Sequence, residues 1–87
     1  MNRTINIIYF SWVRERLGFG EEQISFGDEV QTIADILGLL SGKGPAYAEI
    51  LSELEKLRFA LDQDFKTPTS LIGSAKELAI FPPVTGG

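Results

Sequence analysis

The spacing of apolar residues changes period along the chain, and that change limits the fold more than any other feature. TINIIYF (residues 4–10) and ELAIF (residues 77–81) are β-branched and aromatic runs, whereas Ile33, Ile36, Leu37 and Leu40 recur at i, i+3, i+4 and i+7. A period of 3.6 predicts a helix with one buried stripe, and short β-branched runs predict strands. Apolar side chains fill both faces of Thr4–Phe10 from Ile7 onward, so that strand is expected to lie centrally, covered on at least one side. Trp12–Leu17 turns helical and stops at Gly18 and Gly20, residues suited to the far side of a helix end. Glu21–Phe26 alternates polar and apolar residues, as a half-buried strand does.

The main helix is expected to start at Thr32, because Thr-Ile-Ala-Asp places an N-cap hydroxyl three residues ahead of Asp35. Ser41–Pro45 interrupts it, and Tyr47, Ile50, Leu51 and Leu54 continue with helical spacing as further core. Leu57–Asp62 reads as a strand and Asp62–Asp64 as a turn. Phe65–Lys76 is expected to be irregular, since Pro68 bars a central strand and Gly73 marks a turn. The order strand, strand, helix, strand, strand predicts an α+β domain with a helix across one face of a mixed sheet. The first and last strands can then lie side by side in the middle, which is the β-grasp arrangement, one of several the pattern permits. Residues 1–81 form this domain, and residues 82–87 form a tail.

Absent residue types exclude most chemistry. The 87-residue chain has no Cys and no His. Thiol nucleophiles, disulfides, Cys/His zinc sites and His-based acid–base pairs are therefore ruled out, and no metal or bound cofactor is expected. Twelve acidic against eight basic residues give a net charge of −4, unsuited to nucleic acid and suited to a partner with a basic surface. No apolar run approaches the ~20 residues of a membrane span, and MNRTINIIYF lacks the layout of a signal peptide, so a cytoplasmic location without membrane association is expected.

What remains is the terminus FPPVTGG (residues 81–87). Pro82 and Pro83 fix φ and favour an extended polyproline course, so Pro82–Gly87 can project roughly 18 Å at ~3.1 Å per residue. Gly86 and Gly87 have no side chains and fit a channel too narrow for other residues. Such a terminus presents a carboxylate to another protein's active site. Activated there as an acyl-adenylate, it accepts sulfur to give a thiocarboxylate, or a lysine amine to give an isopeptide.

FPPVTGG after ELAIF, the strand into Phe10 followed by VRE (residues 13–15), and FALDQDF (residues 59–65) together resemble the small subunit of molybdopterin synthase. The resemblance covers essentially the whole chain, with its most specific part in the tail. It implies the ubiquitin-like β-grasp fold. It also implies that an activating enzyme uses ATP to adenylate Gly87, that sulfur then replaces one oxygen, and that the tail enters the large synthase subunit. There the sulfur would pass to cyclic pyranopterin monophosphate to build the dithiolene of molybdopterin, in a heterotetramer of two small and two large subunits. The carrier is not catalytic alone. Cofactor-free and without a thiol, it would hold sulfur only as its C-terminal thiocarboxylate.

The resemblance further implies docking on both partners through an apolar patch of Phe10, Phe65 and Phe81, with Arg14 as a polar contact and Pro82, Pro83, Val84 and Thr85 entering the partner. Each phenylalanine also fits a core position, and Arg14 reads first as a solvated helix charge. The prominence of aromatic anchors in interfaces weighs toward the patch. Where relatives usually carry an Asp-Gly-Asp-Glu-type turn, this chain has Gly73–Glu77 (GSAKE). Trp12 and residues 42–50 have no assigned role. Two other fates of the same terminus stay open: a ubiquitin-like modifier attached to lysines, and a carrier for another pathway such as thiamine biosynthesis, although those carriers are usually shorter and lack the paired prolines.

Overall fold

The structure is a computed structural model that describes residues 2–83. Its elements are β1 (Arg3–Tyr9), α1 (Ser11–Leu17), β2 (Glu21–Phe26), α2 (Ile33–Ser41), α3 (Pro45–Leu51), a 3-10 turn (Leu54–Lys56), β3 (Arg58–Leu61), β4 (Asp64–Lys66) and β5 (Glu77–Phe81). The strands form one sheet in the order β2-β1-β5-β3-β4. β1 and β5 pair in parallel, from Asn6 opposite Glu77 to Tyr9 opposite Ile80, while the other neighbours are antiparallel. The last strand therefore occupies the middle of the sheet, beside the first. This is the ubiquitin-like β-grasp fold.

Alternation decides which side of the sheet is covered. Ile5, Ile7 and Tyr9 of β1, Phe59 and Leu61 of β3, and Leu78 and Ile80 of β5 are buried against the helices. From the other layer come Ile33, Ile36, Leu37 and Leu40 of α2, Val13 of α1, and Ile50 and Leu51 of α3. Leu54 departs from its expected place on the stripe: the backbone tightens to 3-10 there, the register shifts, and the side chain is left exposed.

The start of α2 is closed as its sequence predicts. Thr32 Oγ1 accepts the Asp35 N–H at 3.2 Å, and an Asp35 carboxylate oxygen accepts the N–H groups of Thr32 and Gln31 at 3.0 and 2.9 Å. The next free N–H groups, of Ile33 and Ala34, donate to the carbonyls of Ser70 and Pro68 at 3.1 and 2.8 Å. The irregular segment thus satisfies donors that every helix N-terminus leaves unpaired. It also returns Ile72 to the core.

One element differs from expectation. Asp64, expected in the turn, and residues 65 and 66, expected to be irregular, form strand β4, antiparallel to β3 through the two-residue turn Asp62–Gln63. Both turn residues have positive φ, 47° and 74°, the backbone of a hairpin turn whose twist matches its strands. Asp62 Oδ1 accepts the N–H groups of Lys76 and Glu77, each at 3.0 Å, which ties this turn to the start of β5. Gly73, at φ 58°, makes the expected turn before it.

Candidate functional site

The face of the sheet turned away from the helices is divided. On its β2 side, Thr4, Asn6, Gln23 and Ser25 are polar, and the Thr4 and Ser25 hydroxyls lie 3.4 Å apart. On the other side, a row crosses the sheet from Ile8 to Ala79, Ala60 and Phe65, each opposite the next. Two successive alanines in that row leave a floor without bulk, and larger residues stand around it. The result is an open depression of about 660 Å³, floored by Ala60 and Ala79 and rimmed by Phe10, Phe65, Phe81, Pro82 and Pro83.

Local backbone explains each rim residue. Phe10 is the N-cap of α1 in extended conformation, and Ser11 follows at φ 56°, so the chain bends sharply after the β1 edge. Phe10 N–H donates to Ile80 O at 3.2 Å, which holds this corner against β5. Phe81 ends β5 opposite Arg58, and Phe65 stands on the short edge strand. The Phe81 ring sits edge-on to Phe10 with centroids 6.4 Å apart, and lies 5.8 Å from the Phe65 centroid at a tilt of 54°. Phe65 is 78% exposed and Phe10 46%, values that no core position shares. The three rings thus lie together on the open face, Phe10 and Phe65 exposed and Phe81 half-buried between them. An apolar cluster of this kind is a candidate contact surface.

Pro82 and Pro83 continue from β5 and are half-buried along the same depression. Val84, Thr85, Gly86 and Gly87 lie outside the described residues. Arg14 is not brought to the depression. It is exposed on α1, with its guanidinium over Gly20, where a Cβ would stand 3.2 Å from Cζ.

Among the described residues, no Asp, Glu, Lys or Arg side chain lines the depression. Among the described residues no three His, Cys, Asp or Glu side chains gather as a metal site, and no helix is long and apolar enough to cross a membrane. The most perturbed ionisable cluster lies on the helix side, where sequence reasoning placed nothing. Glu22 accepts hydrogen bonds from the Tyr9 hydroxyl at 2.6 Å, the Tyr47 hydroxyl at 2.8 Å and the Lys43 ammonium at 2.5 Å. Burial raises the Glu22 pKa, but the hydrogen bonds from Lys43 and the two tyrosines outweigh it, and the net displacement is downward. Burial and the same carboxylate push Tyr47 up to about 12 and Tyr9 higher. The cluster fastens α3 and the preceding loop onto β2, which gives residues 43 and 47 a structural role. Trp12 packs against the core and carries the Arg16 guanidinium 5.0 Å above its ring.

Comparison with known proteins follows the same line. The model of the ThiS family matches residues 7–87. The chain belongs to the ThiS family. It is 34% identical to the molybdopterin synthase sulfur carrier subunit of Haemophilus influenzae, over 95% of this chain and 99% of that one. Identity to the molybdopterin synthase sulfur carrier subunit of Chlamydomonas reinhardtii is 31%, over 95% of this chain and 98% of that protein. Among solved structures, SAMP1 from Haloferax volcanii superimposes with a TM-score of 0.74 at 22% identity, covering 98% of this chain and 100% of the other. At that identity the likeness speaks for the fold. For this ThiS-family chain, the aromatic depression, with Pro82 and Pro83 on its rim, forms the candidate site.

Proposed function

We propose that the chain is the sulfur carrier subunit of a molybdopterin synthase. The observation that carries this reading is the placement of Phe81, Pro82 and Pro83, the start of FPPVTGG: they leave the central strand of the sheet at the rim of an open aromatic depression. Two relatives above 30% identity, aligned over nearly their full length, bear that name. The domain offers surface and reach, while acid–base work falls to its partners.

In this mechanism an activating enzyme docks on the depression and joins the Gly87 carboxylate to AMP from ATP, releasing pyrophosphate. Hydrosulfide-level sulfur then attacks the acyl carbon and expels AMP, which leaves a thiocarboxylate. Glycine at the last two positions leaves the carbonyl open to attack. The same depression next docks on the large synthase subunit. The prolines keep the arm extended, and Gly86 and Gly87 enter the active site, where sulfur passes to cyclic pyranopterin monophosphate.

Incubation with activating enzyme, ATP and sulfide, followed by intact-mass analysis, should show one oxygen replaced by sulfur. Deleting Gly87 should abolish that change and leave the melting temperature where it was, because the last residue of a chain generally contributes little to folding. An unchanged mass for the full chain, beside a carrier that converts normally, would refute the proposal. A ladder of lysine conjugates after purification from cells under denaturing conditions would move the assignment to a protein modifier.

A further inference from the structure

Where β3 begins and β4 and β5 end, a second groove of about 480 Å³ adjoins the aromatic depression. Phe65, Phe81 and Pro83 line both, and Arg58, Phe59 and Lys66 complete the second. Both cations line this groove at the end of the sheet: Arg58, opposite Phe81, reaches it from the open face, and Lys66, opposite Phe59 on the exposed edge strand β4, from the other side. The Arg58 guanidinium donates to the carbonyls of Glu55 and Leu57 at 3.2 and 2.8 Å, which steadies it without neutralising it.

Arg16, Lys43 and Lys56 each lie near a carboxylate, at 3.9, 2.5 and 3.1 Å from Glu49, Glu22 and Glu53. Among the described residues, no carboxylate pairs with Arg58 or Lys66. A protein that covers Phe65 and Phe81 removes water from this rim as well. Desolvated cations without a counter-charge are costly, and a carboxylate in hydrogen-bond reach offsets that cost.

We infer that the protein covering the aromatic depression places an Asp or Glu side chain in the Arg58–Lys66 groove. The inference rests on the sulfur-carrier reading and is made for the large synthase subunit, the second of the two proteins that dock there. The groove then selects for an acidic group and sets the register of docking, while the aromatic rings supply the contact area.

Calorimetric binding to the cognate large subunit tests it, with Lys66→Glu and Arg58→Glu as probes, Lys76→Glu as a control at the far end of β5, and melting curves to verify folding. Lys66→Glu should weaken binding roughly tenfold or more at low salt, with the deficit shrinking as salt rises. Lys76→Glu should stay within about twofold, a difference too small for a lost charge pair. Reversing the matching acid of the large subunit to lysine should restore binding to Lys66→Glu. If both groove variants fold and bind like the unaltered chain while Phe65→Ala loses binding, the carrier reading stands and this inference falls. If the unaltered chain does not bind the large subunit at all, both fall.

Discussion

Truncating Phe65 to alanine separates a docking role from a folding role, because the ring is 78% exposed in the free chain. Of the ~200 Å² a phenylalanine presents, about 45 Å² is covered in the fold, worth ~1 kcal/mol at ~25 cal/mol per Å². The tilted contact with Phe81 at 5.8 Å adds about 0.5–1 kcal/mol. The free protein should therefore lose about 1–2 kcal/mol and melt roughly 4–15 °C lower. Phe59→Ala, at 3% exposure, should cost about 3–5 kcal/mol by comparison. In a complex the remaining ~155 Å² of Phe65 would leave water, an upper estimate of ~4 kcal/mol. Even the ~2 kcal/mol that defines an interface anchor weakens binding about 30-fold. Thermal melting of the free chain and calorimetric titration into the large synthase subunit read the two effects separately. A folded Phe65→Ala variant with undiminished affinity would refute the role given to the depression. A stability loss matching that of Phe59→Ala would show that the ring supports the fold.

Two further predictions concern the body of the domain. Thr32→Ala removes the oxygen that accepts the Asp35 N–H, and should lower stability by about 1 kcal/mol in urea unfolding without altering thiocarboxylate formation. Glu22 has a folded pKa below its ordinary value of 4.5, so the unfolded chain takes up its proton first as pH falls. Its stabilisation is present above pH 4.5 and is lost as pH drops through the folded value; the stability gap between the parent chain and Glu22→Gln should narrow there. The tyrosines act in the opposite sense. With Tyr47 held near 12 against an ordinary 10.0, stability falls as pH rises above 10, and Tyr47→Phe should flatten that decline.

Local signals carried much of the architecture. The α2 capping box, the glycine stop after α1 and the break at residues 41–45 each depend on contacts within a few residues, and each is present. The alternation in β2 and the two-faced apolar content of β1 likewise follow from chain periodicity. β4 was not legible, because three exposed residues show no period; the available sign was Asp62 at a position where hairpin turns favour Asp. Leu54 was misplaced because a helical stripe does not announce where the backbone tightens. The Glu22 cluster joins positions 13 to 25 residues apart and has no local signature.

By itself the sequence determined most of the element types, the class α+β and the exclusion of thiol and imidazole chemistry, and it singled out FPPVTGG as the candidate functional segment. These depend on residue identity and near-neighbour spacing, which a linear chain displays directly. Only tertiary structure decided that Phe10, Phe65 and Phe81 form a surface rather than a core. An aromatic residue gains free energy from burial in a domain or in a complex alike. Its side is fixed by strand register, which here points Phe59 and Leu61 inward and sets Ala60 and Phe65 on the open face.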